Sequence, residues 1–237
     1  MADEKEKKIV VLCDGPYRVE GDVTLTHKTQ VVSEYGEPLT WRKDGEVETP
    51  GQPYYICRCG HSKKKPFCDD THVDECFDGE ETADTRPTAE RQKAYPGGTG
   101  IEVRMDGHLC MDSGYCGTRL AHISKLVGET AEPVVRAQVM RMVEHCPSGA
   151  LTYSLEHGGP DVEPDLPQQA ALTTEITSDG PIEGPLWVMG GIPVERADGR
   201  PFETRNRVTL CTCGLSGKKP LCDGTHRAEA EKKAHGG

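Results

Sequence analysis

Sixteen residues are written into this chain twice. CRCGHSKKKPFCDDTH at 57–72 realigns with CTCGLSGKKPLCDGTH at 211–226, an offset of 154, with 11 of 16 positions identical. A weaker echo precedes each loop, GPYRVEGDV (15–23) against GPLWVMGGI (184–192), in which Gly15/Gly184, Pro16/Pro185, Val19/Val188 and Gly21/Gly190 coincide. Both halves therefore run from a GPxxVxG segment to a Cys-rich loop, and the first holds the longer connection between the two. An internal repeat sets the architecture before local propensity does, and this one is a duplication.

The repeated loop has the form C-x-C-x8-C-x3-H. Its donors are Cys57, Cys59, Cys68 and His72 in the first copy and Cys211, Cys213, Cys222 and His226 in the second. Three thiolates and one imidazole this close in sequence can close on a metal centre. The 11 cysteines are an odd number and too sparse for a disulfide scaffold. Cys57/Cys59 and Cys211/Cys213 stand too close to bridge each other, so reduced thiols with metal or redox chemistry are expected. Structural zinc favours C-x2–4-C, and a Rieske centre needs two His on one iron where each loop offers one. The tighter C-x-C favours a [2Fe–2S] cluster, with zinc and a ligand-free thiol loop left open by spacing alone.

Strand-forming stretches accompany each copy: Ile9–Leu12, Tyr17–Leu25, Gln30–Val32 and Tyr54–Cys57, then Leu172–Ile176, Leu186–Met189 and Arg207–Cys211. The tail after Thr225 reads as a short solvated helix with Thr225 as its N-cap. Between the copies IEVRM (101–105) alternates as a strand and CMDSGYCG (110–117) is a loop. Pro133 opens a helix with Val135, Val139, Met142 and Val143 on one face, which Pro147 stops, and LTYSL (151–155) closes as a strand. The expected organisation is a first β-rich unit (1–77), a linker (78–96), a small α+β domain (97–157), a second linker (158–169) and a second β-rich unit (170–237). With 35% hydrophobic and 5% aromatic residues, the chain is expected to build small cores and not one large one.

The string C-x-C-x2-S-x3-P-x-C-D-G-T-H, complete in 211–226, resembles the CDGSH iron–sulfur domain family (mitoNEET-like), and the GPxxVxG segment is typical of its bacterial members. The resemblance implies a [2Fe–2S] cluster on three Cys and one His: Cys57, Cys59, Cys68 and His72, and Cys211, Cys213, Cys222 and His226. Motifs of that family work in pairs, so two copies imply an intramolecular pseudo-dimer. The first copy departs from it, reading CDDTH with Asp70 in the glycine position. If that position needs a positive φ, Asp is among the better-tolerated residues.

The middle segment resembles the single-cluster bacterial-type ferredoxins, including their divergent mono-cluster form, through C-x5-C, a long gap and CPSGAL (146–151). Ser113 stands where ordinary members carry a Cys, leaving Cys110, Cys116 and Cys146. Three thiolates suit a [3Fe–4S] cluster. A [4Fe–4S] cluster needs a fourth ligand from Ser113, Asp112, His108, solvent or another chain. The implied fold class is α+β, with two small CDGSH-type units flanking a ferredoxin-like domain.

No Ser/His/Asp order, nucleophile elbow or acid/base carboxylate pair is present, so no enzyme is expected. The formal charge of −11 argues against nucleic acid and anionic membrane as partners. The start MADEKEKKIVVLCDGPYRV has no cleavage pattern, and no apolar run is long enough to span a bilayer, so a cytoplasmic protein is expected. The expected role is a soluble electron carrier acting with a redox partner protein. The alternatives are a cluster store that donates to an apo-protein acceptor and a structural zinc-binding assembly module. Cys13 and Cys76 read as small buried hydrophobes, and Asp69 and Asp223 as caps of the turn before each ligand His. Lys63–Lys65, Lys218 and Lys219 read as solvated or as tuning a cluster by charge.

Overall fold

The computed structural model describes residues 6–236, so the outermost ends of the two outer units (1–5 and 237) lie outside it. The first half supplies β1 (Lys8–Val11), β2 (Tyr17–Glu20), β3 (Thr24–Val32), β4 (Pro38–Glu46), β5 (Tyr54–Ile56) and the single-turn α1 (Thr71–Asp74). The middle contains α2 (Thr88–Arg91), β6 (Lys93–Ala94), β7 (Glu102–Met105), α3 (Ile123–Leu126), α4 (Pro133–His145) and β8 (Leu151–Ser154). The second half adds β9 (Gln169–Thr177), β10 (Gly180–Met189), β11 (Val194–Glu195), β12 (Arg207–Leu210) and α5 (Thr225–Ala234). The chain is α+β. No helix among the described residues is long and apolar enough to cross a membrane.

The strands form three sheets, ordered β11-β1-β2-β5, β12-β10-β9-β3-β4 and β6-β7-β8. In the first two the halves exchange strands. β11 of the second half pairs parallel with β1, with Ile9 opposite Val194, and β3 of the first half pairs parallel with β9, with Leu25 opposite Ala170. The other pairings are antiparallel. The stretch 17–25, which reads as one strand, is split because Gly21 (φ 77°) and Asp22 (φ 48°) are left-handed. That turn carries the chain out of one sheet and into the other.

Exchange of strands also overturns the expectation of separate small cores. One apolar cluster runs through Ile9, Tyr17 and Leu25 of the first half, Val103, Val139 and Val143 of the middle, and Leu186, Val188 and Leu210 of the second. The longer connection of the first copy contains β4, an edge strand whose mostly exposed, charged residues hide it from pattern reading. Its hairpin with β3 grips the middle domain: Trp41 donates to the His145 carbonyl (3.3 Å), Arg141 to that of Leu39 (3.0 Å), and the Tyr115 hydroxyl to that of Thr40 (2.9 Å).

Segments 78–96 and 158–169 are not loose spacers. The Thr82 and Ala83 N–H groups both donate to the Lys219 carbonyl, β6 pairs with β7, and Val162 bridges to Tyr153. The tail helix forms as expected, but Thr225 is not its cap. Gly224, left-handed at φ 89°, holds the N-cap position, and the Thr225 N–H is taken by the Asp223 carboxylate at 3.0 Å.

Candidate metal centres

Both loops are built by the same side chains. The Ser62 hydroxyl donates to the Phe67 carbonyl (2.6 Å) and accepts from the Lys64 N–H (3.0 Å); Ser216 does the same with Leu221 (2.7 Å) and Lys218 (3.0 Å). Asp69 accepts the Lys63 N–H (2.8 Å) and the Thr71 hydroxyl (2.7 Å), and Asp223 accepts the Gly217 N–H (2.8 Å) and the Thr225 hydroxyl (2.7 Å). The Thr71 hydroxyl and the Lys63 N–H hold the Asp69 carboxyl down to about 2. Burial pushes Asp223 up, but the Thr225 and Gly217 donors outweigh it and hold it low. Each carboxylate thus ties the middle of the loop to its histidine end, where the third Cys stands beside the His.

The donor atoms converge as the spacing predicts. Sγ–Sγ distances are 3.7 Å for Cys57–Cys59 and 3.6 Å for Cys211–Cys213. Cys68 Sγ lies 3.4 Å from His72 Nδ1, and Cys222 Sγ lies 3.5 Å from His226 Nδ1. A tetrahedral ion with metal–sulfur bonds of about 2.3 Å and metal–nitrogen bonds of about 2.0 Å sets two sulfurs about 3.8 Å apart and sulfur from nitrogen about 3.5 Å. Each loop therefore offers two half-sites, Cys/Cys and Cys/His, and that donor set fits a two-metal centre. Without metal, burial pushes the Cys59, Cys68 and Cys222 thiols up. The Cys213 thiol donates to Cys211 and holds it down to about 6.

The loops also touch each other. A Cβ on Gly60 would stand 2.5 Å from the Cys213 carbonyl oxygen, and one on Gly214 would stand 2.5 Å from that of Cys59. Only glycine permits this reciprocal approach. On its other side the second loop packs on the middle domain. Gly224 is buried, with its missing Cβ 2.9 Å from the Met111 carbonyl oxygen, and Lys218 Nζ donates to the carbonyls of His108 (2.8 Å) and Cys110 (3.1 Å). Asp70, in the same place in the first loop, is left-handed (φ 67°) and exposed. The departure from glycine falls where a side chain has room.

Cys110, Cys116 and Cys146 come together in the middle domain, near enough for charge on Cys146 to raise the other two thiols, although burial raises them more. Ser113 is buried beside them in sequence, and its carbonyl accepts from Gln30 (3.1 Å). His108 Nε2 is taken by the Asp84 N–H at 2.8 Å, so that nitrogen is not free to serve as a fourth ligand. Cys13 and Cys76 are exposed, contrary to the buried role expected for them. Lys65 pairs with Glu183 (2.6 Å), and His27 has both ring nitrogens taken, by Asp44 (3.0 Å) and Thr174 (3.1 Å).

The family described as iron-binding zinc finger CDGSH type matches residues 14–73 and 183–227. The divergent 4Fe-4S mono-cluster family matches residues 97–156. The chain carries two CDGSH-type domains with a divergent mono-cluster domain between them. It is an iron–sulfur cluster-binding protein. Searches of curated proteins and of solved structures returned no match.

Three residues that sequence reasoning missed complete these domains. Arg207, buried in β12, donates through Nε to the Cys146 carbonyl (2.8 Å), through Nη2 to those of Val143 (3.0 Å) and Leu151 (3.3 Å), and pairs with Glu163. It fixes the end of α4 and the Cys146 turn from the neighbouring CDGSH domain. Arg58, between the first two ligand cysteines, is buried between the Tyr17 and Phe77 rings and donates to the Leu12 carbonyl (3.1 Å). Glu175, on β9, is fully buried and accepts from His226 Nε2 at 3.1 Å. Nothing in the local sequence separates these from surface charges.

Proposed function

We propose that the chain is an electron carrier holding two [2Fe–2S] clusters and one [3Fe–4S] or [4Fe–4S] cluster. Cys57, Cys59, Cys68 and His72 take the first, Cys211, Cys213, Cys222 and His226 the second, and Cys110, Cys116 and Cys146 the third. The observation that carries this reading is the continuous row of donor sets: first loop against second through Gly60 and Gly214, second against middle through Gly224 and Met111. Bound clusters supply one-electron chemistry, and redox groups held in adjoining loops suit passage of electrons through the chain.

The protein's own residues keep the row in place. The reciprocal parallel pairings, Ile9 with Val194 and Leu25 with Ala170, support an intramolecular pseudo-dimer of the two CDGSH domains. Arg207 and Lys218 tie the middle Cys loop to the second of them. A redox protein is the partner that this reading implies.

The test is protein purified without oxygen, with iron and sulfide counted and visible and EPR spectra recorded. Counts matching two [2Fe–2S] clusters plus a third, with reversible reduction at constant iron, support the proposal. Colourless protein carrying zinc overturns it. Passage of iron and sulfide to an apo-ferredoxin, with no reversible reduction, would replace it with cluster storage and transfer.

A further inference from the structure

We infer that Glu175 is a positioning residue that makes the two CDGSH sites unequal: the second loop keeps its cluster and the first releases it. This rests on both loops binding [2Fe–2S] clusters, as proposed above. His226 presents Nδ1 to Cys222, and its Nε2 faces Glu175 Oε1 at 3.1 Å. A carboxylate accepting Nε2–H fixes the tautomer that leaves the Nδ1 lone pair for metal, and it stops the ring from turning. The carboxylate is itself fully buried, and its second oxygen is held by Arg227. Gly184 makes this possible, since a Cβ there would stand 3.1 Å from Glu175 Oε1 and 2.5 Å from Thr173 Oγ1.

The first copy lacks the device for a reason visible in its backbone. Tyr17 and Leu186 hold the same place in GPxxVxG and pair with Val11 and Leu172, so Asp14 is the counterpart of Glu175. β9 runs on past that point, with Glu175 opposite Ile182 in the β9–β10 hairpin. β1 stops at Val11 and turns at once, the Gly15 N–H closing on the Leu12 carbonyl at 3.2 Å. Asp14 is left-handed (φ 45°) in that turn, and its carboxylate accepts the Gly79 N–H (2.9 Å) instead of meeting His72. Among the described residues His72 Nε2 has no hydrogen-bond partner; the nearest feature of Gly15 is the empty Cβ position, 3.8 Å away. Val73 stands where the second copy has Arg227.

Solvent access runs the same way at this end of each loop. His226 is 7% exposed and Cys222 2%, whereas His72 and Cys68 are half-buried and Asp70 is open to solvent. Met111 covers the second loop at Gly224, whereas the matching Asp70 of the first is exposed. The Cys-x-Cys ends do not share this difference, since Cys59 is buried and Cys213 half-buried. The inequality therefore lies at the histidine.

The test is an iron-chelator challenge of the loaded protein at neutral pH, followed by [2Fe–2S] absorbance. Wild type is expected to lose the signal in two equal phases, with the fast one absent from Cys68→Ser. Removal of a carboxylate behind a ligand His weakens metal holding by about 10–100-fold, so Glu175→Ala is expected to accelerate the slow phase by about that factor. Glu175→Gln, whose amide oxygen still accepts from Nε2, is expected to restore most of the retention. The midpoint potential of the slow-phase site should shift upward in Glu175→Ala while the fast-phase site stays put. The unchanged fast phase also shows that the variant is folded. One phase in wild type, a fast phase belonging to the second loop, or equal acceleration of both phases by Glu175→Ala overturns the inference while leaving the clusters assigned. Absence of [2Fe–2S] absorbance from both loops overturns the functional proposal and this inference with it.

Discussion

Placing alanine at the same backbone position of both loops measures how firmly the middle domain is seated on the second one. At Gly224 a Cβ would lie 2.9 Å from the Met111 carbonyl oxygen and 3.0 Å from Asp112 Cβ, at φ 89°. The left-handed backbone alone costs an alanine about 1–2 kcal/mol. Forcing a methyl into a filled contact adds about 1–3 kcal/mol. Asp70 shares the left-handed backbone (φ 67°) but is exposed, so Asp70→Ala meets the first cost only, and less of it, since Asp already bears part. Gly224→Ala is therefore expected to destabilise by about 2–5 kcal/mol and Asp70→Ala by about 1 kcal/mol or less. For a chain of this size that is a fall in midpoint of about 5–15 °C against about 3 °C. The assay is calorimetry of the cluster-loaded proteins at one fixed scan rate, because unfolding with cluster loss is irreversible. A separate early transition in Gly224→Ala, from a middle domain no longer seated, would agree with the argument. Equal midpoints for the two alanine variants would refute it.

Arg207→Met strips four acceptors of a buried guanidinium, and each buried carbonyl left unsatisfied costs about 1–3 kcal/mol; iron counts should show loss of the middle cluster first, with the outer [2Fe–2S] absorbance retained. Mild acid should release the outer clusters, because protons compete with metal for an imidazole ligand, and His72→Cys with His226→Cys should slow that loss at pH 5–6. The loop carboxylates do not confound this measurement. Their depressed pKa means the stability they add is present above the ordinary 3.8 and fades only as pH falls toward about 2, the value held by Asp69. Equal loss rates in wild type and the double variant would remove histidine from the ligand set. At the middle site, Ser113→Cys should convert a [3Fe–4S] cluster, paramagnetic when oxidised, into a silent [4Fe–4S] one; an oxidised-state EPR signal that persists in this variant and in Cys146→Ser would mean it arises elsewhere.

The shape of the Cys/His loops was legible because its determinants are local. Four donors within sixteen residues need no distant partner to be recognised, and both copies close with nearly equal distances. The outer strands were legible for the same reason, since alternation and bounding glycines are properties of short stretches. What escaped depends on residues far apart in the chain. β4 escaped because an exposed edge strand carries no apolar rhythm. Arg207 and Glu175 escaped because a charge in a strand looks the same whether it meets water or, as here, a carbonyl 61 residues away or an imidazole 51 residues away. The shared core escaped because composition limits how much apolar surface a chain owns, and exchanged strands let three units pool it.

The departure from repeat symmetry is the most informative part of the sequence once the neighbours of each position are known. Gly224 and Asp70 occupy one backbone site, left-handed in both loops, and so does the residue after each ligand His, Arg227 and Val73. In the second copy the first of these sites faces the Met111 carbonyl and the second faces Glu175; in the first copy the first lies in solvent and the second is exposed. Two of the five differences within the sixteen residues, Phe67/Leu221 and Asp70/Gly224, flank the third Cys, three (Arg58/Thr212, His61/Leu215 and Lys63/Gly217) lie nearer the first two, and the Ser and Asp that shape each loop are shared. A duplicated metal loop under one constraint would vary anywhere its donors allow. The two sites share their Cys and His donors but not their surroundings, and the first alone adds the Asp70 carboxylate, within 4.8 Å of the Cys68 and His72 donor atoms. On the functional proposal above, the shared Cys and His donors set what each loop binds and the unequal surroundings set how tightly it binds. The two CDGSH loops therefore differ at their histidine ends, the second covered there by the middle domain and the first open to water at Asp70.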